Sequence, residues 1–109
     1  MEFRYCKVEV FIPKSHLAAL QQALQQVDAG HIGNYDCCHS YSEVMGCWRP
    51  LPDSQPYSGS ENVISCEPEC KVEFTCRADA IDETIRAIKA VHPYEEPVIT
   101  ALPIYRTSF

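Results

Sequence analysis

The sequence has few of the residues on which several large classes of protein depend. Only four of its 109 residues are glycine, and none of the four forms the glycine-rich loop that cradles a phosphate. No stretch approaches the ~18 uninterrupted apolar residues of a membrane-spanning helix. Charged residues interrupt the N-terminus, where an export signal would need an apolar segment. We therefore expect a cytoplasmic protein with no membrane partner.

Positive charge is scarce as well. Nine Lys and Arg stand against fifteen Asp and Glu, the formal net charge is −6, and no basic run of five residues occurs. Nucleic-acid binding draws most of its affinity from clustered cations, so we expect no nucleic-acid partner. The length and a hydrophobic content of 46% fit one compact domain over residues 1–109.

Cysteine, by contrast, is abundant, with seven residues. An odd number without an export signal favours reduced thiols over a disulfide framework. Cys6 and Cys76 fall on predicted core faces, where a thiol behaves as a small apolar group. The alternative is a divalent transition metal as cofactor, for which Cys37 and His39 are the best fragment because alternate residues of a strand share a face. The spacing of the thiols favours the first interpretation.

A strand followed by an amphipathic helix occurs twice. Residues 3–12 alternate between apolar and polar, and leucines at helical spacing follow until Gly30. The second copy has a strand over 71–77 and a helix over 81–91. A final strand over 98–105 contains a proline, which favours a position at the edge of a sheet.

The middle of the chain is less regular. Residues 35–42 and 45–49 predict an extra hairpin that turns near Glu43, and the Pro- and Ser-rich stretch 50–68 predicts a long loop. Together with the two strand–helix units, this order predicts an α+β, ferredoxin-like split βαβ sandwich with two helices on one face of the sheet.

Two polar clusters are candidate binding sites. The first joins the turn around Asn34 and Tyr35 to Trp48 and Arg49, whose cation and aromatic faces suit an anionic or planar ligand. Its alternative is a helix end and a hairpin whose arginine makes a structural ion pair. The second is the turn 92–97, where two prolines hold an imidazole, a phenol and two carboxylates; it suits an interface or a cation, or is a rigid connector.

Three spaced motifs carry a resemblance to a known family. They are a Gly-x-Ile-Gly-Asn-Tyr pattern over 30–35, a Gly-x-aromatic-Arg-Pro-Leu pattern over 46–51, and His-Pro-Tyr-Glu-Glu-Pro over 92–97. The last motif resembles CutA-type and PII-like trimeric proteins. The whole chain is most similar to the domain inserted in the NIF-three-like (YqfO-type) dimetal-binding proteins. Cys38 and Glu73 also match that domain.

The resemblance implies a CutA/PII-like fold, a homotrimer, and small ligands in clefts between subunits. It also implies that the family's own metal ligands lie on the domains that flank the insert, so none is assigned to this chain. The residues expected to bind a ligand are Gly33, Asn34, Tyr35, Cys38, Trp48, Arg49, His92, Tyr94, Glu95 and Glu96.

The leading hypothesis is therefore a non-catalytic regulatory or small-molecule-binding module, with a small anionic ligand or a protein as partner. No arrangement of nucleophile and base supports catalysis. One alternative is a transition-metal-binding protein that uses Cys37 and His39. A further alternative is a remnant of a NIF-three-like hydrolase that acts together with a partner.

Overall fold

One four-stranded antiparallel sheet, covered on one face by two helices, makes up the fold. The structure is a computed structural model and describes residues 2–109. Its regular elements, in chain order, are β1 (Tyr5–Ile12), a 3₁₀ turn (Lys14–His16), α1 (Leu17–Gln26), β2 (His39–Trp48), β3 (Ser65–Arg77), a second 3₁₀ turn (Ala78–Ala80), α2 (Ile81–Val91) and β4 (Ile99–Ile104).

The strand order β2-β3-β1-β4 is that of a ferredoxin-like sandwich, as the sequence predicts. All three strand pairings are antiparallel and run without interruption of register. The final strand β4 lies at an edge, which confirms the placement that Pro103 suggests.

The core lies between the sheet and both helices, and it explains why the strands alternate. Val8, Val10 and Ile12 of β1 point to the same side as Cys70 and the other even-numbered residues of β3. Leucines of α1 and Ile88 of α2 pack onto this face. The odd-numbered side chains of β3 therefore point to the opposite face, away from the helices.

The predicted extra hairpin is wrong. Residues 39–48 form one continuous strand, with Glu43 in its middle opposite Cys70. The stretch holds none of the Asn-Gly or Asp-Gly pairs that tight hairpin turns favour. Because β3 offers a partner along the whole length of β2, a straight strand satisfies every rung of the ladder.

The predicted loop 50–68 is too long at its C-terminal end. Strand β3 begins at Ser65 and includes Pro68, which pairs with Met45. Strand β1 reaches only Cys70, so residues 65–69 have a neighbouring strand on one side alone. A proline is tolerated there because its missing N–H faces no partner.

Within residues 2–109, no helix has both the length and the apolar character needed to cross a membrane.

Candidate ligand-binding site

A cavity of about 520 Å³ opens on the face of the sheet that the helices leave free. Its floor is formed by Phe11 of β1, Glu69 of β3 and residues 46–48 at the end of β2. The loop 49–64 forms one wall, and its two ends are joined by the N–H of Asn62, which donates to the Pro50 carbonyl over 2.6 Å. The segment 92–98, which leads from α2 to β4, forms the other wall.

Glu69 lies at the floor of this cavity and is only 7% exposed. Its side chain crosses Gly46 on the neighbouring strand, and a Cβ at that glycine would overlap the carboxylate. Gly46 is thus required because the carboxylate fills the space that a side chain would take.

Tyr94 holds this carboxylate in place. The Tyr94 hydroxyl donates a hydrogen bond to Glu69 Oε2 over 2.7 Å. Burial and the adjacent carboxylate raise the pKa of Tyr94 far above its ordinary value of 10, so the phenol keeps its proton and remains a donor. One carboxylate oxygen, Oε2, is therefore occupied by a fixed partner.

His92 fixes the turn that carries Tyr94. The Tyr94 N–H donates to His92 Nδ1 over 3.2 Å, so the single proton of a neutral ring sits on Nε2. Nε2 lies 2.6 Å from the Phe11 carbonyl and donates to it. Burial lowers the pKa of His92, which keeps the ring neutral. Both ring nitrogens are thus used to anchor the turn to β1.

Aromatic rings make the upper part of the cavity. Trp48 donates from Nε1 to the Ser58 carbonyl over 3.1 Å, and this bond ties the loop to the end of β2. The Tyr94 ring centroid lies 5.9 Å from that of Trp48 and 6.0 Å from that of Tyr57. Flat faces of this kind accept a planar ligand by stacking.

The charged side chains along the cavity have a negative balance. Arg49 lies at the rim with Glu95 and Glu96, while Glu69 is buried below them. Glu95 Oε2 also accepts the backbone N–H of Gln55 over 2.9 Å, which connects the turn to the loop. Three carboxylates and one guanidinium favour a ligand with N–H donors, with Arg49 available to an anionic substituent.

The structure brings together six of the ten residues predicted to bind a ligand. Trp48, Arg49, Tyr94, Glu95 and Glu96 line the cavity, and His92 lies directly behind them.

The remaining four predicted residues lie elsewhere. Gly33 and Asn34 form a two-residue turn in which Ile32 and Tyr35 exchange backbone hydrogen bonds, and the Tyr35 side chain is 74% exposed. Cys38 follows, and its N–H donates to the Gly30 carbonyl. Gly30 in turn contacts β3 at Thr75, six residues from Glu69 and therefore about 20 Å away along the strand. Within one protomer the two clusters are separate.

Cys37 and His39 do lie close together. The Cys37 sulfur is 3.9 Å from His39 Nδ1, but Nδ1 also lies 2.7 Å from the Cys37 carbonyl, and Nε2 contacts the Gln21 side chain. Burial raises the pKa of the Cys37 thiol, which disfavours the thiolate that a metal needs. No group of three or more His, Cys, Asp and Glu side chains among residues 2–109 is placed to hold a metal ion. A metal role for this pair stays a prediction.

Sequence reasoning missed Glu69, Tyr57 and Phe11 as cavity residues. Glu69 stands in an alternating run of charged residues that reads as a solvated strand face. The one available signal was Gly46, since glycine inside a strand marks the close approach of another group. Nothing local shows that the turn 92–97 covers this part of β3.

Replacing Tyr94 with Phe is expected to lower the free energy of unfolding by about 1–3 kcal/mol, because the buried Glu69 carboxylate loses its donor. Tyr57 is the matched control: its ring packs on Tyr94 in the same cavity but is 54% exposed. Tyr57→Phe should change stability by less than about 0.5 kcal/mol. Urea denaturation measures both variants, and equal losses would contradict the structural role of the Tyr94–Glu69 bond.

Comparison with known proteins identifies the family of this chain. Residues 41–108 match the family of the CutA1 divalent ion tolerance protein. The chain belongs to the CutA1 family. The fold agrees: CutA from Archaeoglobus fulgidus superposes with a TM-score of 0.70 at 18% identity, over 94% of this chain and 86% of that one. The predicted CutA/PII-like fold is thereby confirmed.

The chain is also homologous to a domain of larger proteins. It is 35% identical over 104 residues to a GTP cyclohydrolase 1 type 2 homolog of Staphylococcus epidermidis, which covers 95% of this chain and 28% of that protein. A Bacillus cereus protein related to NIF3 matches with a TM-score of 0.83 and 30% identity, over 95% of this chain and 26% of that one. The CutA1-type chain thus spans about a quarter of these relatives, which confirms the resemblance to the inserted domain.

Proposed function

We propose that this CutA1-family chain is a non-catalytic module that binds a small planar molecule in the cavity between loop 49–64 and turn 92–98. The observation that carries the proposal is the buried Glu69, fixed through one oxygen by Tyr94 at the floor of an aromatic cavity. A nitrogen heterocycle stacked on Trp48 or Tyr57 can donate an N–H to this carboxylate. An acidic substituent on the same ligand can reach Arg49.

The two side chains that resemble an acid–base pair support binding rather than catalysis. His92 has both nitrogens bonded to backbone groups, and Tyr94 is held as a phenol by Glu69. A general acid or base needs an atom that is free to exchange a proton with the substrate, and the His92 nitrogens and the Tyr94 hydroxyl are all engaged with protein groups. Both residues therefore shape the cavity in this proposal.

We also propose the homotrimer that the family resemblance implies. Both outer strands of the sheet carry exposed apolar side chains, namely Tyr41 and Met45 on β2 and Leu102 on β4. Exposed edge strands with such side chains favour pairing with another copy. The family resemblance implies ligand clefts between subunits, and on that basis we propose that the Tyr35 turn contributes to the site of a neighbouring subunit.

The chain contains a single tryptophan, Trp48, so its fluorescence reports directly on this cavity. Adenosine 5′-monophosphate, adenosine and inorganic phosphate serve as probes that separate the heterocycle from the anion. We expect both adenine compounds to change the emission and phosphate alone to leave it unchanged. Arg49→Ala should weaken the binding of the monophosphate and leave the binding of adenosine unchanged. Native mass spectrometry of the same samples, prepared without chelator, measures the oligomer and any retained ligand.

Glu69→Gln should weaken the binding of adenosine by about tenfold, since the cavity loses the charged acceptor. The amide oxygen of the new side chain can still accept from Tyr94. Glu73→Gln is the matched control, because Glu73 lies on the same strand and face but pairs with Lys7 over 2.9 Å, outside the cavity. A fluorescence response to phosphate alone, or an adenosine affinity that is the same in Glu69→Gln as in the natural chain, would overturn the proposed site. A monomeric mass would overturn the trimer alone.

The kinship with GTP cyclohydrolase 1 type 2 homologs favours a second candidate. In it, the module acts beside a larger NIF-three-like protein and supplies a ligand-responsive part to it. Mixing the chain with such a protein and recording native mass spectra tests this candidate. A complex of defined stoichiometry would support it, and two separate species would exclude it.

A further inference from the structure

Two cysteines face each other where the cavity loop leaves the sheet. Cys47 of β2 and Cys66 of β3 are direct partners in the antiparallel register, and both are exposed. All seven cysteines are free thiols in the structure. The next rung, Trp48 opposite Ser65, is the last before the loop 49–64 begins.

The backbone geometry decides whether these side chains can be joined. Antiparallel pairs alternate between hydrogen-bonded and non-hydrogen-bonded, and side chains approach more closely in the second kind. The Ala78 N–H donates to the Arg4 carbonyl, so N–H groups of even-numbered residues along β3 point toward β1. Pro68 is also even-numbered and fits this pattern. An even-numbered residue directs no N–H toward β2, so a proline there costs no hydrogen bond.

Cys66 is even-numbered too, so its N–H points away from β2. The pair Cys47 and Cys66 is therefore non-hydrogen-bonded, with Cα atoms about 4.5 Å apart. This separation lies at the short end of the range that disulfides span, roughly 4.4–6.8 Å. A bond formed there is exposed and closely held, which is typical of disulfides that are readily reduced again.

We propose that Cys47 and Cys66 form a reversible intramolecular disulfide by exchange with a small disulfide such as oxidised glutathione. The thiolate of one cysteine attacks a glutathione sulfur, and one glutathione thiolate leaves. The second cysteine thiolate then attacks the protein sulfur of this mixed disulfide, and the other glutathione leaves. Two protein thiols are oxidised, one glutathione disulfide is reduced to two thiols, and the two cysteine protons end on them.

The two thiols already interact in the reduced chain. The pKa of the Cys47 thiol is raised, chiefly through its hydrogen bond with the Cys66 side chain. The two side chains are therefore close to each other before any bond forms, and either cysteine can make the first attack.

The bond would fix the base of the cavity loop. Both strands leave the sheet one residue beyond this rung, and Gly59 in the loop folds back to within contact of Trp48 and Ser65. Joining residues 47 and 66 removes the freedom of these strand ends to separate. This effect concerns the chain alone and holds whether or not the cavity binds a ligand.

A second opposed pair provides an internal control. Cys6 and Cys76 are also direct partners, on β1 and β3, but theirs is a hydrogen-bonded pair with Cα atoms about 5.5 Å apart. Cys76 is 5% exposed, and burial raises the pKa of its thiol. We expect this pair to remain reduced under conditions that oxidise Cys47 and Cys66.

The test is equilibration of the intact chain with mixtures of reduced and oxidised glutathione. Thiols per chain should fall from seven to five, with a mass loss of about 2 Da after reversal of any adducts. Cleavage after glutamate should then yield residues 44–61 linked to residues 62–69. Seven thiols throughout, a stable glutathione adduct, a bond between chains or a different linkage would each overturn the proposal.

Paired variants separate the two sites. Cys6→Ser with Cys76→Ser should still lose two thiols on oxidation, and Cys47→Ser with Cys66→Ser should lose none. Chymotryptic cleavage after Tyr57 measures how readily loop 49–64 opens. It should be slower in the oxidised chain than in the reduced one. Equal cleavage rates would refute the fixing of the loop, while the thiol counts decide the bond itself.

Discussion

Replacing Gly46 with Ala is expected to lower the free energy of unfolding by about 2 kcal/mol. Alanine inside a strand is normally the more stable choice, by about 0.4–1 kcal/mol. Here the new Cβ would overlap the Glu69 carboxylate, which is buried and bound by Tyr94. The carboxylate can move aside only by leaving this partner. Urea denaturation measures the loss, and the fluorescence of Trp48 reports the change in the cavity.

The matched control removes the obstacle instead of the glycine. In a Glu69→Ala background the space beside residue 46 is free, so adding Gly46→Ala should raise the free energy of unfolding by about 0.5 kcal/mol. The same substitution thus changes sign with the presence of one carboxylate. Destabilisation of equal size in both backgrounds would show that the strand needs glycine for another reason.

A loss of stability below about pH 6.5 is the second large effect expected, and it comes from His92. The folded chain holds this ring neutral, since Nε2 donates to the Phe11 carbonyl and Nδ1 accepts from Tyr94. A second proton on Nδ1 would face the Tyr94 N–H. Burial lowers the pKa of His92 below its ordinary 6.5, which the unfolded chain retains.

The unfolded chain therefore binds the proton first as the pH falls. The stability that neutral His92 contributes is full above pH 6.5 and declines below it, by up to about 1.4 kcal/mol per pH unit. His31 works in the opposite direction, because the Asp28 carboxylate raises its pKa, so its contribution is present below pH 6.5 and is lost at higher pH. The two must be separated by substitution.

His92→Gln separates them, because an amide can replace the donor toward Phe11 and does not titrate. We expect the difference in free energy of unfolding between the natural chain and this variant to shrink from pH 8 to pH 5, while the His31 contribution cancels. Denaturation curves across this range give the measurement. A difference that stays constant with pH would show that His92 titrates alike in both states.

Much of the fold could be predicted because local pattern and final structure agree. The alternation of β1 and the leucine spacing of α1 are both used by the same core, so each signal reinforces the other. The hairpin near Glu43 failed because residues 35–49 were interpreted without their partner strand. What makes 39–48 straight is pairing along the length of β3, whose partner residues lie 17 to 35 positions further along the chain.

The residues of the site also divide into those that the sequence could predict and those that it could not. Trp48, Arg49 and the turn 92–97 carry unusual local chemistry, and the structure brings them to one cavity. Glu69 has ordinary local chemistry, and its role depends on Tyr94 arriving from 25 residues away. A register and a long-range contact decide such a residue, and neither is encoded in a short window of sequence.

Strand β3 extends beyond β1, and this extension gives the molecule two regions of different local stability. The four-stranded part is held by the helices, whereas residues 65–69 with the end of β2 form a two-stranded ribbon, which is marginal on its own. Loop 49–64 joins the two strands of that ribbon, so this wall of the cavity can open locally while the core stays folded. The molecule is elongated, 45 × 30 × 22 Å. A ligand or a bond that orders the ribbon would therefore stiffen one region of an elongated molecule. The four-stranded core would keep its fold.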